Sequence, residues 1–117
     1  MKVLDVLNEL DKYPSNYKIA FTYYDLDENR DILEFVEDIT SYVEQSIMLM
    51  PCSNHEDALT VTGLIDSLTD YIVDLKGYID ANDINVLGVE AIYPRHDIMS
   101  ICFDMTSEYE RNYYENE

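Results

Sequence analysis

The sequence predicts an α+β domain: a small, largely antiparallel three-stranded sheet (about 17–24, 84–93 and 98–105) packed with two long acidic helices (about 27–49 and 55–80) and a short N-terminal helix. Three observations carry that expectation. Apolar residues recur every three or four positions over Asp25–Met50 and again over 55–80, the spacing of one helix face. Tyr17–Tyr24 instead alternates with period two and is rich in β-branched and aromatic residues, as strands are. Near the end, Pro94-Arg95-His96-Asp97 separates two apolar runs as a four-residue hairpin loop would.

The elements follow in order. Residues 2–12 place Val3, Leu4, Val6, Leu7 and Leu10 on one side of a short helix, which Tyr13-Pro14-Ser15-Asn16 breaks. Ile19, Phe21 and Tyr23 form the inward face of the first strand. Asp25–Asn29 reads as the turn into the first acidic helix, with Asp27 as its cap and the stripe Ile32, Phe35/Val36, Ile39, Tyr42/Val43, Ile47 and Met50 as its core face. Met50-Pro51-Cys52-Ser53-Asn54 ends it, and Ser53 or Asn54 caps the next helix. That helix buries Ala58, Val61, Leu64/Ile65, Leu68, Tyr71/Ile72, Leu75 and Ile79. Ala81-Asn82-Asp83 turns into the hairpin, whose second strand has Met99, Ile101, Phe103 and Met105 on one face. Residues 1–105 read as one globular domain and 106–117 as an acidic, tyrosine-rich tail.

Charge is the most informative feature. There are 25 acids against 7 bases, a net charge of −18. Leu, Ile, Val and Phe are nonetheless plentiful enough for a folded core rather than a disordered chain. Such a charge repels nucleic acid and anionic membrane and attracts basic protein surfaces. The acids are segregated: eight fall in residues 25–48, seven in 49–83 and four in the tail, against three in 84–105. Asp31, Glu34, Glu37, Asp38 and Glu44 on the first helix, and Asp66, Asp70 and Asp74 on the second, are the candidate partner-binding residues. Asp66, Asp70 and Asp74 step ~6 Å apart along a helix, and each like-charged i,i+4 pair costs about 0.2–0.5 kcal/mol. Duplex DNA carries a phosphate every ~3.4 Å of axis on each strand, so this row offers a basic groove a comparable field. Acids in a first turn, such as Glu28 and Asp31, have the simpler explanation that they complement the helix dipole. A solvated face that serves only solubility is the plain alternative for the rest.

Other constellations carry less. Asp25-x-Asp27-x-Asn29-x-Asp31 opens like an EF-hand calcium loop, but Arg30 replaces the glycine of the sixth position and Val36 the glutamate of the twelfth. Cys52-x-x-His55 resembles half a zinc site, while His96 and Cys102 are not a standard second pair. Reduced, inert thiols are expected. Walker, dinucleotide-binding, nucleophile-elbow and zincin motifs are absent from the sequence, so an enzyme is not expected, nor a cofactor or metal. No run of about eighteen apolar residues occurs, and Asp5, Asn8, Glu9 and Asp11 interrupt any signal-like region. The expected location is the cytoplasm, that of a bacterial host if the chain is phage-encoded.

In composition and charge layout the whole chain resembles the phage-encoded acidic DNA-mimic inhibitors, among them anti-restriction proteins, anti-CRISPR proteins and uracil-DNA glycosylase inhibitors. Glu44-Gln45-Ser46-Ile47-Met48-Leu49-Met50-Pro51 is similar to the glycosylase-inhibitor segment in which an acid and an adjoining strand enter the enzyme's DNA groove. The opening MKVLDVLNELDKYPSNYKIAF also resembles that of many small phage proteins. The resemblance implies a non-enzymatic inhibitor, monomeric or homodimeric, that blocks the nucleic-acid groove of a nuclease, Cas effector, restriction enzyme or glycosylase without binding nucleic acid or membrane itself. An acidic immunity protein or antitoxin that neutralises one basic toxin is the alternative. It predicts a few dominant Tyr and Asp contacts rather than a distributed field.

Overall fold

The computed structural model describes residues 1–41, 46–74 and 83–105. They form helix α1 (Val3–Leu10), strands β1 (Lys18–Asp25), β2 (Arg30–Ser41) and β3 (Ser46–Cys52), helix α2 (Val61–Asp74), and strands β4 (Asn85–Val86), β5 (Val89–Arg95) and β6 (Ser100–Met105). All six strands join one mixed sheet in the order β4-β3-β2-β1-β6-β5. β1–β2, β2–β3 and β5–β6 are antiparallel; β1–β6 and β3–β4 are parallel.

This corrects the expected three-stranded sheet with two long helices. The stretch Asp25–Met50, read as a helix, supplies β2 and most of β3. The cause lies at Glu37. Val36 pairs with Pro51 and Asp38 with Met50, so Glu37 is an extra residue, a β-bulge. On either side of it the strand alternates: Ile32 and Val36 face the core before the bulge, and Ile39 faces it after, opposite the fully buried Leu49. The inserted residue turns an even spacing into an odd one. Ile32, Val36 and Ile39 therefore fall four and three apart, as on a helix.

Asp25–Arg30 is a hairpin turn rather than a helix start. The Asp25 carboxylate accepts the backbone N–H groups of Asp27 (2.9 Å) and Glu28 (3.2 Å). Asn29 takes the left-handed conformation (φ 57°) that Asn tolerates better than most residues. The second helix begins at Val61, not near 55. His55–Asp57 is one 3₁₀ turn, and Thr60, rather than Ser53 or Asn54, caps α2 by accepting the Gly63 N–H at 3.0 Å. Residues 75–80 of the expected helix lie outside the described residues. The expected strand 84–93 is divided between β4 and β5 by a turn at Leu87-Gly88, where Gly88 adopts φ 78°.

β2 is the spine. Its first half, Arg30–Phe35, pairs with β1, and its second half, Phe35–Ser41, pairs with β3. Where it leaves β1, Leu59 fills the opening. Its N–H reaches Val36 O and its carbonyl accepts Ile19 N–H, both at 2.8 Å. Both helices cover the same side. Val3, Val6 and Leu10 of α1 and Val61, Leu64 and Leu68 of α2 join one core with Ile19, Phe21, Val36, Leu49, Ile101 and Phe103. Val3 N–H also bonds Ile84 O at 2.9 Å and Val86 N–H bonds Met1 O at 2.8 Å, which ties the chain start to β4.

Candidate functional site

The helices occupy one face of the sheet, so the register dictates what stands on the other. From β1 come Ala20, Thr22 and Tyr24; from β2, Asp31, Leu33, Phe35, Asp38 and Thr40; from β3, Met48, Met50 and Cys52. β6 contributes Ser100, Cys102 and Asp104, and β5 contributes Ala91, Tyr93 and Arg95. This second face is only partly open: Ala20, Ser100 and Cys102 on it are fully buried, and the turn at 54–58 reaches over part of it. His55 packs edge-on against Phe35, with ring centroids 5.0 Å apart, and the Lys18 ammonium bonds the carbonyls of Glu56 (3.3 Å) and Ala58 (3.0 Å).

Away from that turn lies a hollow lined by Thr22, Asp31, Leu33, Tyr93, Arg95 and Asp104. The Thr22 hydroxyl donates to Asp104 Oδ1 at 3.3 Å and lies 3.4 Å from the Tyr93 hydroxyl. Arg95 is already engaged by Asp97, Nη2 to Oδ2 at 2.7 Å, and that contact holds the Asp97 carboxyl below the usual range. Beneath Tyr93, burial pushes the Cys102 thiol up, while Arg95 opposes the shift.

The structure distributes the sequence-predicted residues over three surroundings. Asp31 and Asp38 are exposed on the open face, and Glu37 is exposed at the bulge. The Asp38 carboxylate accepts the Ile39 N–H at 2.7 Å. Glu34 pairs with Phe21 on the helix-covered face, where its Oε2 is buried without a hydrogen-bond partner. Desolvation raises the Glu34 carboxyl above the ordinary carboxylate range. Asp66, Asp70 and Asp74 are exposed along α2, as their spacing predicts. Because α2 covers the opposite face, that row and the Asp31–Asp38 strand point to opposite sides of the molecule. They are not two halves of one surface. Glu44 lies outside the described residues.

Two further groups went unnoticed in the sequence: Asp104 and Tyr93. The signal for Asp104 was its alternation with Ile101, Phe103 and Met105, which puts it on the face those three leave. Cys52, His55, His96 and Cys102 do not converge. Cys52 on β3 and Cys102 on β6 are separated by β2 and β1, His55 packs on Phe35, and His96 Nδ1 bonds the Tyr17 hydroxyl at 2.7 Å. Among the described residues, no group of three or more His, Cys, Asp or Glu could hold a metal ion. No helix among them is long and apolar enough to cross a membrane.

Fold and site together define a two-layer protein: one sheet face packed under two helices, the other partly open and bearing the exposed carboxylates Asp31 and Asp38 with the exposed rings of Tyr24 and Tyr93. No protein-family model, no curated protein and no solved structure matches the chain.

Proposed function

We propose that this chain is a non-enzymatic inhibitor that presents a DNA-like negative field and occupies the basic nucleic-acid groove of a DNA-processing protein such as a nuclease, Cas effector, restriction enzyme or glycosylase. One observation carries the reading: the negative charge is scarcely neutralised from within. Of the seven bases, Lys12, Arg30 and Arg95 are paired with Glu9, Glu28 and Asp97, and Lys18 is held by carbonyls. Exposed pairs of this kind hold their cations close to home, each worth little to stability. The remaining carboxylates give a field that steers basic surfaces towards the chain.

The test uses purified candidates, each bound to fluorescent duplex DNA at ~0.05 M salt. The chain is expected to release DNA from at least one of them, with an affinity that falls steeply as salt rises. An affinity unchanged up to ~1 M salt, where the Debye length is ~3 Å, would sink the reading. The immunity-protein alternative draws on the aromatic rings beside Asp31 and Asp104. A single alanine substitution costing about 4 kcal/mol of binding would favour it.

A further inference from the structure

The chain carries two acidic surfaces on opposite sides, and they differ in kind. The α2 row of Asp66, Asp70 and Asp74 is exposed charge on a helix, bordered by Thr62, Thr69 and Val73. The open sheet face combines carboxylates with exposed rings and aliphatic side chains. Tyr24 is 40% exposed, Tyr93 37%, Leu33 is partly uncovered beside Asp31 and Asp104, and Phe35 is partly uncovered against His55.

We infer that the open sheet face, and not α2, is the docking surface, and that its occupant is an arginine-bearing segment of a basic partner protein. The inference rests on the proposed function and deepens it. Charge excludes two other occupants. A second copy carries the same −18, and the chain's own tail, 106–117, holds four acids and one arginine. Among the described residues, the two cations of the face, Lys18 and Arg95, are engaged by carbonyls and by Asp97, so neither forms an ion pair with Asp31 or Asp104.

The choice of arginine over lysine follows from the rings. A guanidinium pairs with carboxylates through a planar fork and stacks on aromatic faces, whereas an ammonium is a compact, strongly hydrated charge. The hollow supplies both needs. Asp31 and Asp104 bring acceptor carboxylates, Asp104 already taking the Thr22 hydroxyl, the Tyr93 hydroxyl lies 3.4 Å from that of Thr22, and the Tyr93 ring and Leu33 add apolar surface beside Arg95. α2 exposes no ring to a guanidinium: Thr62, Thr69, Val73 and the three aspartates are its exposed positions, and Val73, though exposed, has no aromatic face.

The test is nuclear magnetic resonance on the full ¹⁵N-labelled chain, titrated at low salt with nona-arginine and, separately, nona-lysine. Shift changes are expected to concentrate at Thr22, Leu33, Tyr93 and Asp104, with nona-arginine bound at least about threefold more tightly. The double variant Asp31→Asn/Asp104→Asn should weaken nona-arginine binding more than Asp66→Asn/Asp70→Asn does. Changes centred on α2, changes spread evenly over the surface, equal binding of the two peptides, or no binding would each overturn the inference. So would shifts of the open face that depend on protein concentration alone, which place a second copy there. Contacts between the face and residues 106–117 would likewise assign it to the tail. If the peptide maps to α2 while DNA is still displaced from an enzyme, only the location fails. If it maps to the open face and no enzyme releases DNA, the groove-blocking function fails and the arginine-binding face stands.

Discussion

Deleting Glu37 should leave the protein folded, and deleting Glu34, three residues earlier, should not. Glu37 is the extra residue of the bulge, between Val36 opposite Pro51 and Asp38 opposite Met50. Removing it makes the ladder regular, with Val36 and Ile39 still on the core face and Asp38 still on the open one. The expected cost is the bend that lets Leu59 N–H reach Val36 O, about one hydrogen bond, or roughly 0.5–1.5 kcal/mol. Deleting Glu34 shifts parity inside a regular stretch. Phe35 then opposes Phe21, Val36 turns outward, and straightening of the bulge points Glu37 into the core. Expelling Val36, now fully buried, costs about 1.5–3 kcal/mol. Desolvating an unpaired carboxylate adds several more. The sum approaches the whole stability of a small domain, roughly 5–15 kcal/mol. Thermal unfolding followed by far-ultraviolet circular dichroism reads the difference. The Glu37 deletion should melt within about 8 °C of the parent and the Glu34 deletion should show no cooperative transition. Equal losses, or unfolding by the Glu37 deletion alone, would refute the bulge as the reason for the apolar spacing.

Four further outcomes are expected. Phe103→Ala, at a side chain with no exposure, should cost about 3–5 kcal/mol in denaturant unfolding. Met99→Gly should stabilise by up to about 1 kcal/mol, because Met99 sits at φ 50° with its side chain half exposed; a loss instead would mean the side chain contributes packing. Glu34→Gln should raise stability near neutral pH and lose that advantage in acid. The folded-state carboxyl is raised, so the parent is penalised above that value and relieved below the ordinary carboxylate value of about 4.3; a gap independent of pH would count against it. Raising salt from low concentration should raise the melting temperature, since self-repulsion at −18 is screened, and a flat response would argue against unneutralised charge.

How much of this was legible in the sequence depends on whether a pattern has one structural source or two. Val3, Val6 and Leu10 read as a helix because nothing interrupts their spacing, and Pro14 follows where the helix must already have stopped. Asp66, Asp70 and Asp74 read correctly as an exposed helical row. Ile32, Val36 and Ile39 did not read as strand. A bulge is a property of pairing with β3, and a single chain gives no view of its partner until the sheet is built. Leu33 and Phe35 strengthened the error. They stand on the half-covered open face, so the strand lacks the polar alternation of a two-sided sheet. The local signs of strand were present in Ile32, Phe35, Val36, Ile39 and Thr40, residues that prefer a pleated surface. The candidate site suffered the same way. Once β2 is a strand, Glu34 and Asp31 face opposite sides, and Asp104 on β6 comes beside Thr22 through a parallel pairing that no local pattern announces.

The most direct test of the groove-blocking function is whether the chain and duplex DNA exclude one another on an enzyme found by DNA release. The apparent Kd of the chain for that enzyme is measured at increasing DNA concentrations by calorimetry. Groove occupancy predicts that the apparent Kd rises in proportion to one plus the ratio of DNA concentration to its own Kd. A Kd indifferent to DNA, with a ternary complex of enzyme, DNA and chain recovered together, would contradict it.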